Sequence, residues 1–405
     1  MAPPKLPRLD ALDVDNRRVF VRVDFNVPLG NDGTVRDDTR IRAALPTLRS
    51  LRERGARLVV ASHLGRPKGR VVPALSMEPV AARLAELLDC EVRLPDEVVG
   101  DAARRLVLET RAGQITMLEN LRFHPGETSN DPEFAKALAE LADAYVNDAF
   151  GTCHRAHASV VGVPRLIPER AAGRLLAKEV DALSKVAYDP AHPFVAIVGG
   201  AKVSDKAELL DALVRRLGRG DAVLVGGAMA NTFLYARGEA VGASLVERDA
   251  TATCRRIVDL AAGREVDLLL PVDAVVARSP EAARGEVRVV GRDPIAEDEA
   301  IYDIGPATAK AFAERLDGAA TVFWNGPMGM FESPAFAEGT LAVARAVAAC
   351  EGFTVVGGGD SLAAVAATGV GDRIDHLSTG GGASLAFVEG RTLPGIAALT
   401  GEEAA

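Results

Sequence analysis

Arg22, Asp24 and Asn26 stand at alternate positions of the run RVFVRVDFNVP. Successive strand side chains point to opposite faces, so Val19, Val21, Val23 and Phe25 share one face and the arginine, carboxylate and amide share the other. Burying such groups without partners costs about 2–7 kcal/mol even for an uncharged polar group. A ligand wall explains the row, and a local ion pair between Arg22 or Asp24 and neighbouring charges is the alternative. Further cations follow at the ends of later apolar runs: Arg40 opening a helical stretch, His63 and Arg66 in SHLGRP, Arg122 in ENLRFHPGE, and His154, Arg155 and His157 in GTCHRAH. Planar guanidinium groups match carboxylates and phosphates through paired N–H donors, so their convergence predicts a pocket for a small, multiply charged anion. The three histidines lack HExxH spacing and sit among cations, which argues against a metal centre.

The second half carries glycines where the first carries cations. GGAKVSDK at 199–206, GGAMANTF at 226–233, NGPMGMFE at 325–332, GGGDSLAA at 357–364 and STGGGAS at 378–384 each follow an apolar run. Glycines there let backbone N–H groups approach a phosphate chain, and a helix start adds favourable partial charge. Lys202 and Lys206 offer ammonium groups for phosphates, and Asp360 offers a hard oxygen for Mg2+. No GxxxxGK[ST] occurs, and GGGDSL lacks the last glycine of GxGxxG, so the nucleotide site is neither a P-loop nor a dinucleotide fingerprint.

These residues need a scaffold that gathers strand ends. Short β-branched runs alternate with Ala- and Leu-rich helical stretches almost throughout, which predicts an α/β fold of two Rossmann-like lobes, each a parallel sheet flanked by helices. RVFVRVDFN, RLVVASH, QITMLEN and AYVNDAF read as strands of the first lobe; FVAIVGG, AVLVGG, LLLPVDAVV, TVFWNG, FTVVGGG and RIDHLS read as strands of the second. The run from Ala172 to Tyr188 has helical spacing and no strand signal, and proline-bearing segments flank it. It reads as an interdomain helix over 172–188, between an N-terminal domain 1–171 and a C-terminal domain 189–385, with 386–405 free to pack on the first. In open α/β sheets ligands bind outside the carboxyl ends of strands, where both sets of residues fall.

The 405 residues, 48% hydrophobic and 25% charged, are those of a globular protein, and the net charge of −9 speaks against a general nucleic-acid binder. Cys90, Cys153, Cys254 and Cys350 form no CxxC or zinc spacing, which predicts buried free thiols and a cytoplasmic location. The N-terminal residues show no signal-peptide pattern and no apolar stretch reaches the roughly 20 residues of a spanning helix, so no membrane role is expected.

RVDFNVP, SHLGRP, ENLRFHPGE, NDAFGTCHRAHAS, GGAKVSDK, WNGPMGMFE, VVGGGDS and STGGGASL, in this order and at compatible spacing, make the chain closely resemble the phosphoglycerate kinase family over essentially its full length. The resemblance implies a monomeric two-lobed enzyme, closing by hinge bending, that moves phosphate from 1,3-bisphosphoglycerate to Mg·ADP, giving 3-phosphoglycerate and Mg·ATP. It assigns Asp24, Phe25, Asn26, Arg40, His63, Leu64, Gly65, Arg66, Arg122 and Arg155 to 3-phosphoglycerate, with Arg22, His154 and His157 in the same basic patch. It assigns Lys202, Lys206, Gly226, Gly227, Asn325, Glu332, Gly358, Gly359, Asp360 and Ser361 to ATP or ADP, Glu332 at the ribose and Asp360 at the Mg2+. Lys202, Arg40 and the glycines Gly380, Gly381 and Gly382 resemble the groups that meet the phosphoryl group in flight. Three positions depart from the family: Ile301 and Ala228 where glycine is frequent, and Ser361 where threonine is. Ile301 bears most directly on the adenine pocket.

Both possible nucleophiles, a carboxylate and a phosphate oxygen, are already ionised at neutral pH. The expected chemistry therefore needs positioning and charge neutralisation and no general base. Two rivals fare worse: a nicotinamide dehydrogenase would need a complete GxGxxG with an acidic residue about 20 positions on. A catalytically silent scaffold would be free to lose Lys202, Arg40 and Asp360, and all three are present.

Overall fold

The structure, a computed structural model, describes residues 2–291 and 294–402. The chain divides into two compact units. One runs to Asp181 and resumes at Thr392, and the other spans Ala182–Arg391.

The first unit is built on β1 (Arg18–Val23), β2 (Arg57–Ala61), β3 (Val92–Arg93), β4 (Ile115–Met117), β5 (Ala144–Asp148) and β6 (Arg170–Ala172), in the spatial order β3-β4-β2-β1-β5-β6. Every neighbouring pair is parallel. Such a sheet must be covered on both faces, which explains the unbroken burial of Val19 to Val23. Val19, Val21, Val23 and Phe25 pack in one core with Ile41, Leu45 and Leu48 of the helix Thr39–Glu53. On the opposite face Phe20 stacks on Tyr145, with ring centroids 5.8 Å apart. β1 ends at Val23, so Asp24 and Asn26 continue the alternation into the loop beyond the strand. Because β2 and β5 flank β1, the chain reverses direction across the sheet at β1, the kind of switch point at which α/β folds bind ligands.

The second unit repeats the scheme with β7 (Phe194–Val198), β8 (Ala222–Val225) and β9 (Asp267–Leu269) on one side. A separate sheet of β10 (Ala274–Ala277), β11 (Arg288–Val290) and β12 (Ala300–Ile304) intervenes, and β13 (Thr321–Asn325), β14 (Phe353–Gly357) and β15 (His376–Ser378) complete the main sheet. The parallel order is β15-β14-β13-β7-β8-β9, so its switch point lies between β7 and β13. LLLPVDAVV does not form one strand: Pro271, which cannot donate a ladder hydrogen bond, separates β9 from β10, and the two join different sheets. The three-stranded sheet is antiparallel, with order β11-β10-β12 and a register shift between Val275 and Val276.

The helix over the 172–188 run spans Arg174–Ala187, and Arg170–Ala172 just before it is β6 rather than helix. Its start is fixed from below. The Asp148 carboxylate, at the end of β5, accepts the amides of Leu175 and Leu176 at 2.9 and 3.3 Å, and the Thr47 hydroxyl accepts that of Arg174 at 2.8 Å. All four cysteines are free; Cys153 and Cys254 are buried, whereas Cys90 and Cys350 are only half-buried. Among the described residues no helix is long and apolar enough to cross a membrane.

Candidate active site

The first unit brings Arg22, Asp24, Asn26, Arg40, His63, Arg122, His154, Arg155 and His157 to the carboxyl edge of β1, β2, β4 and β5. Arg40, in the first turn of the helix Thr39–Glu53, reaches Asp24 Oδ2 at 3.1 Å and the Asn26 carbonyl at 3.3 Å. Asn26 Oδ1 accepts the Gly65 amide at 2.8 Å and Arg122 Nη1 donates to the Gly65 carbonyl at 2.7 Å, so the SHLGRP turn is held from the segments that follow β1 and β4. Arg155 Nε donates to His154 Nε2 at 3.1 Å. Arg66 is exposed, its charge free to meet solvent or a ligand.

Two members stand differently from the rest. Phe25 and Leu64 are buried side chains, the former in the core and its amide already given to Ser62 Oγ at 2.8 Å. Both side chains join the apolar core and present no polar group.

The electrostatics are those of a cation-rich recess with too few counter-charges. Burial, then the charges of Arg155 and Arg22, brings Arg122 down to about 10, and burial with Arg22, Arg122 and Arg155 pushes His157 down to about 4. Asp24 Oδ1, Arg122 Nε, His154 Nδ1 and His157 Nδ1 are buried without a hydrogen-bond partner. Polar groups left so cost about 1–3 kcal/mol each for as long as they lack a partner.

Sequence reasoning missed three groups that organise this edge. Asn120 accepts the amides of Leu64 and Arg122 at 3.2 and 3.1 Å and donates to the carbonyls of Leu64 and Leu75 at 2.7 and 2.9 Å. Glu127 and Ser159, both fully buried, lie behind Arg22. Asn120 and Glu127 lie within ENLRFHPGE, but spacing alone does not tell a loop-knitting amide or buried carboxylate from a solvated one.

In the second unit the glycines sit where the switch point needs them. A Cβ on Gly199 would lie 2.1 Å from the Pro327 carbonyl oxygen, and one on Gly326 would lie 2.2 Å from that of Gly199, so the ends of β7 and β13 approach closer than side chains permit. Gly227, at φ 68°, turns the chain into the helix Ala228–Ala236. Beside these turns lies a cavity of about 670 Å3 whose lining includes Gly200, Gly227, Ala228, Leu245, Ile301, Met328, Glu332 and Asp360. Its size suits a nucleoside, and its walls are mostly apolar.

Lys206 precedes the helix Ala207–Arg216 and its ammonium donates to Asn325 Oδ1; burial lowers its pKa, against the pull of Asp205, Glu389 and Asp360. Ser361 is buried and its hydroxyl accepts the Gly326 amide at 2.7 Å. Gly358 and Gly359 lead into the helix Gly359–Thr368, with Asp360 exposed in its first turn. Gly380 and Gly381, the latter at φ 54°, precede the helix that starts at Gly382. Lys202 is exposed. Gly226 packs so tightly that a Cβ there would lie 2.4 Å from Met328 Sδ. Asp303, which sequence reasoning passed over, also lines the cavity: burial pushes it up to about 7, while its oxygens accept the amides of Ile304 and Gly339 at 2.9 and 2.7 Å.

The family model for phosphoglycerate kinase matches residues 9–391. The chain belongs to the phosphoglycerate kinase family. It is 54% identical over 395 residues to the phosphoglycerate kinase of Anaeromyxobacter dehalogenans (strain 2CP-C), covering 97% of this chain and 99% of that protein. Its identity to the Thermomicrobium roseum phosphoglycerate kinase is also 54%, over 391 residues, 96% of this chain and 98% of that one. The solved structure of phosphoglycerate kinase from Coxiella burnetii superposes with a TM-score of 0.89 at 42% identity, covering 98% of this chain and 99% of that chain. The protein is thus a kinase of glycolytic phosphoryl transfer with a carboxyl group as acceptor, and ATP and ADP are its nucleotide substrates.

Proposed function

We propose that the recess of the first unit holds 3-phosphoglycerate or 1,3-bisphosphoglycerate and that the cavity and glycine turns of the second hold Mg·ATP or Mg·ADP. The observation that carries this reading is the split in chemistry: buried polar atoms without partners among arginines and histidines in one unit, and close-packed glycines beside an apolar cavity in the other. The first set suits a small acid ester, the second a base with a phosphate tail.

Arg40, Arg66, Arg122 and Arg155 neutralise the ester's phosphate and carboxylate, Asp24 and Asn26 take its hydroxyl, and His63, His154 and His157 complete the rim. Lys206 and the amides at Gly358, Gly359 and Gly380 to Gly382 grip the phosphates, Glu332 takes the ribose, and Ile301 with Leu245 flanks the base. Mg2+ comes with the nucleotide and neutralises phosphate charge. Asp360 fits it, being an exposed carboxylate with no hydrogen-bond partner among the described residues, beside the phosphate turns. Lys202 and Arg40 stabilise the transferring group, and no residue removes a proton, because the attacking oxygen is already anionic. Transfer requires the two ligands to meet, and we assign that step to closure of a monomer working in the cytoplasm without nucleic acid.

The test is a coupled assay with 3-phosphoglycerate and Mg·ATP, joined to calorimetry on Arg122→Ala and Lys206→Ala. The reading requires that the first variant loses the ester and keeps the nucleotide, and that the second does the reverse. Binding of the ester that ignores Arg122 would overturn it.

A further inference from the structure

Below the anion recess runs a line of buried polar groups that takes in Arg22, which the sequence assigns to the basic patch but which is fully buried with its Nε and Nη1 given to protein acceptors. Glu127 accepts the Ser159 hydroxyl at 2.6 Å and the Ser159 amide at 3.0 Å. With its one proton given to that carboxylate, Ser159 Oγ accepts Arg22 Nε at 2.8 Å. Arg22 also donates to the Val23 carbonyl, and its Nη2 lies 3.2 Å from His63 Nδ1. Arg22, Ser159 and Glu127 are fully buried and His63 is 3% exposed.

This order leaves the imidazole little choice. A guanidinium carries donors only and does not lose its proton, so His63 Nδ1 must offer its lone pair. The competing arrangement, a proton on Nδ1 given to Asp24 Oδ1, would have to span 3.8 Å, beyond hydrogen-bond reach. Nε2 has no partner among the described residues. We infer that Glu127, Ser159 and Arg22 act as a positioning relay that fixes His63 as the neutral Nε2–H tautomer, an uncharged hydrogen-bond donor kept for the ester.

The groups facing the ring support this state. Arg22, Arg122, Arg155 and His157 surround it, with Asp24 as the nearby carboxylate, and burial together with these cations holds His63 well below 6.5. Attraction for the anion then resides in guanidinium groups that do not titrate, while His63 contributes direction. The ligand side of this inference rests on the ester assignment above; the tautomer does not.

The test is a long-range 1H–15N correlation spectrum of the full-length, histidine-labelled enzyme, with the His63 signals identified by their loss in His63→Gln. The expected result is a neutral Nε2–H pattern at pH 8 that persists at pH 6.5, with and without 3-phosphoglycerate. An imidazolium at pH 6.5, or a proton on Nδ1, overturns the inference. Ser159→Ala releases Arg22 Nε and is expected to raise the His63 titration midpoint by about one unit, equivalent to about tenfold in its protonation equilibrium. It should also raise KM for 3-phosphoglycerate several-fold while kcat holds, and Ser159→Thr, which keeps the hydroxyl, should restore both. A folded Ser159→Ala enzyme with unchanged spectrum and KM removes the relay, and if that variant does not fold the wild-type spectrum alone decides. Should the wild type lack activity towards 3-phosphoglycerate, the ester assignment fails while the spectrum still reports the tautomer.

Discussion

Arg40 shows how one side chain can be legible by type and opaque by role. Its place at the start of a helical stretch is plain in the sequence, but its contacts with Asp24 and the Asn26 carbonyl emerge only when β1 and the helix Thr39–Glu53 are packed. Those contacts hold the guanidinium beside the recess in the absence of ligand. If it serves the transferring group, Arg40→Ala should lower kcat by about 10²–10³ with a smaller change in KM, as steady-state assays would show. A change confined to KM would reduce Arg40 to a binding group. Ile301 is the opposite case: the departure from glycine is visible in the sequence, and the structure places the residue in the wall of the 670 Å3 cavity. A half-buried isoleucine in contact with a base is worth about 1 kcal/mol, so Ile301→Gly should weaken ATP about fivefold by calorimetry and leave 3-phosphoglycerate binding unchanged. Tighter nucleotide binding in the variant would mean that the side chain obstructs the base.

Among the elements, the longer apolar runs were readable because a strand covered on both faces is buried at nearly every position, as in β1, β7 and β13. The two-residue β3 and three-residue β6 and β11 were not, since so few residues carry no period and their pairing is decided by neighbours far away in the chain. The start of the helix Arg174–Ala187 was hidden for a related reason: its cap comes from Asp148, 26 positions before the helix's first residue, and not from a local Ser, Thr, Asp or Asn. Gly173 leaves room for that carboxylate, because a Cβ there would lie 2.1 Å from Asp148 Oδ1. Gly173→Ala should therefore displace the cap and destabilise the protein by about 1–2 kcal/mol in urea unfolding. Burial raises Asp148 to about 6 from 3.8, against the amides and Thr47 that favour its charge. With the folded value above the unfolded one, the group's stabilising contribution is full below about pH 4 and disappears as pH rises through 6, a difference of about 3 kcal/mol. Asp148→Asn cannot ionise, so urea titrations of that variant should lack this part of the slope between pH 4 and 6. An identical slope in both proteins would show that the native carboxyl titrates near its ordinary value.

On the scale of the whole molecule, the two half-sites proposed above draw their charged and apolar groups from separate compact units, the proposed ester set from residues before Asp181 and the proposed nucleotide set from Ala182–Arg391. That division has a thermodynamic consequence independent of catalysis. A ligand that binds only the native form of one unit stabilises that unit by RT ln(1 + [L]/Kd), about 2.7 kcal/mol at a hundredfold excess over Kd. If the units unfold in separable steps, 3-phosphoglycerate should raise the midpoint of the step that carries the first unit, and Mg·ADP the other. Which step is which follows from a reporter: Trp324, the single tryptophan, is fully buried in the second unit, so its fluorescence follows that unit alone. Mg·ADP should then shift the fluorescence transition and leave any earlier or later calorimetric step in place, while 3-phosphoglycerate should do the converse. A single transition seen at one midpoint by both probes, moved equally by either ligand, would show that the units fold as one cooperative body. In that case the separation of chemistry between them would be a matter of binding alone.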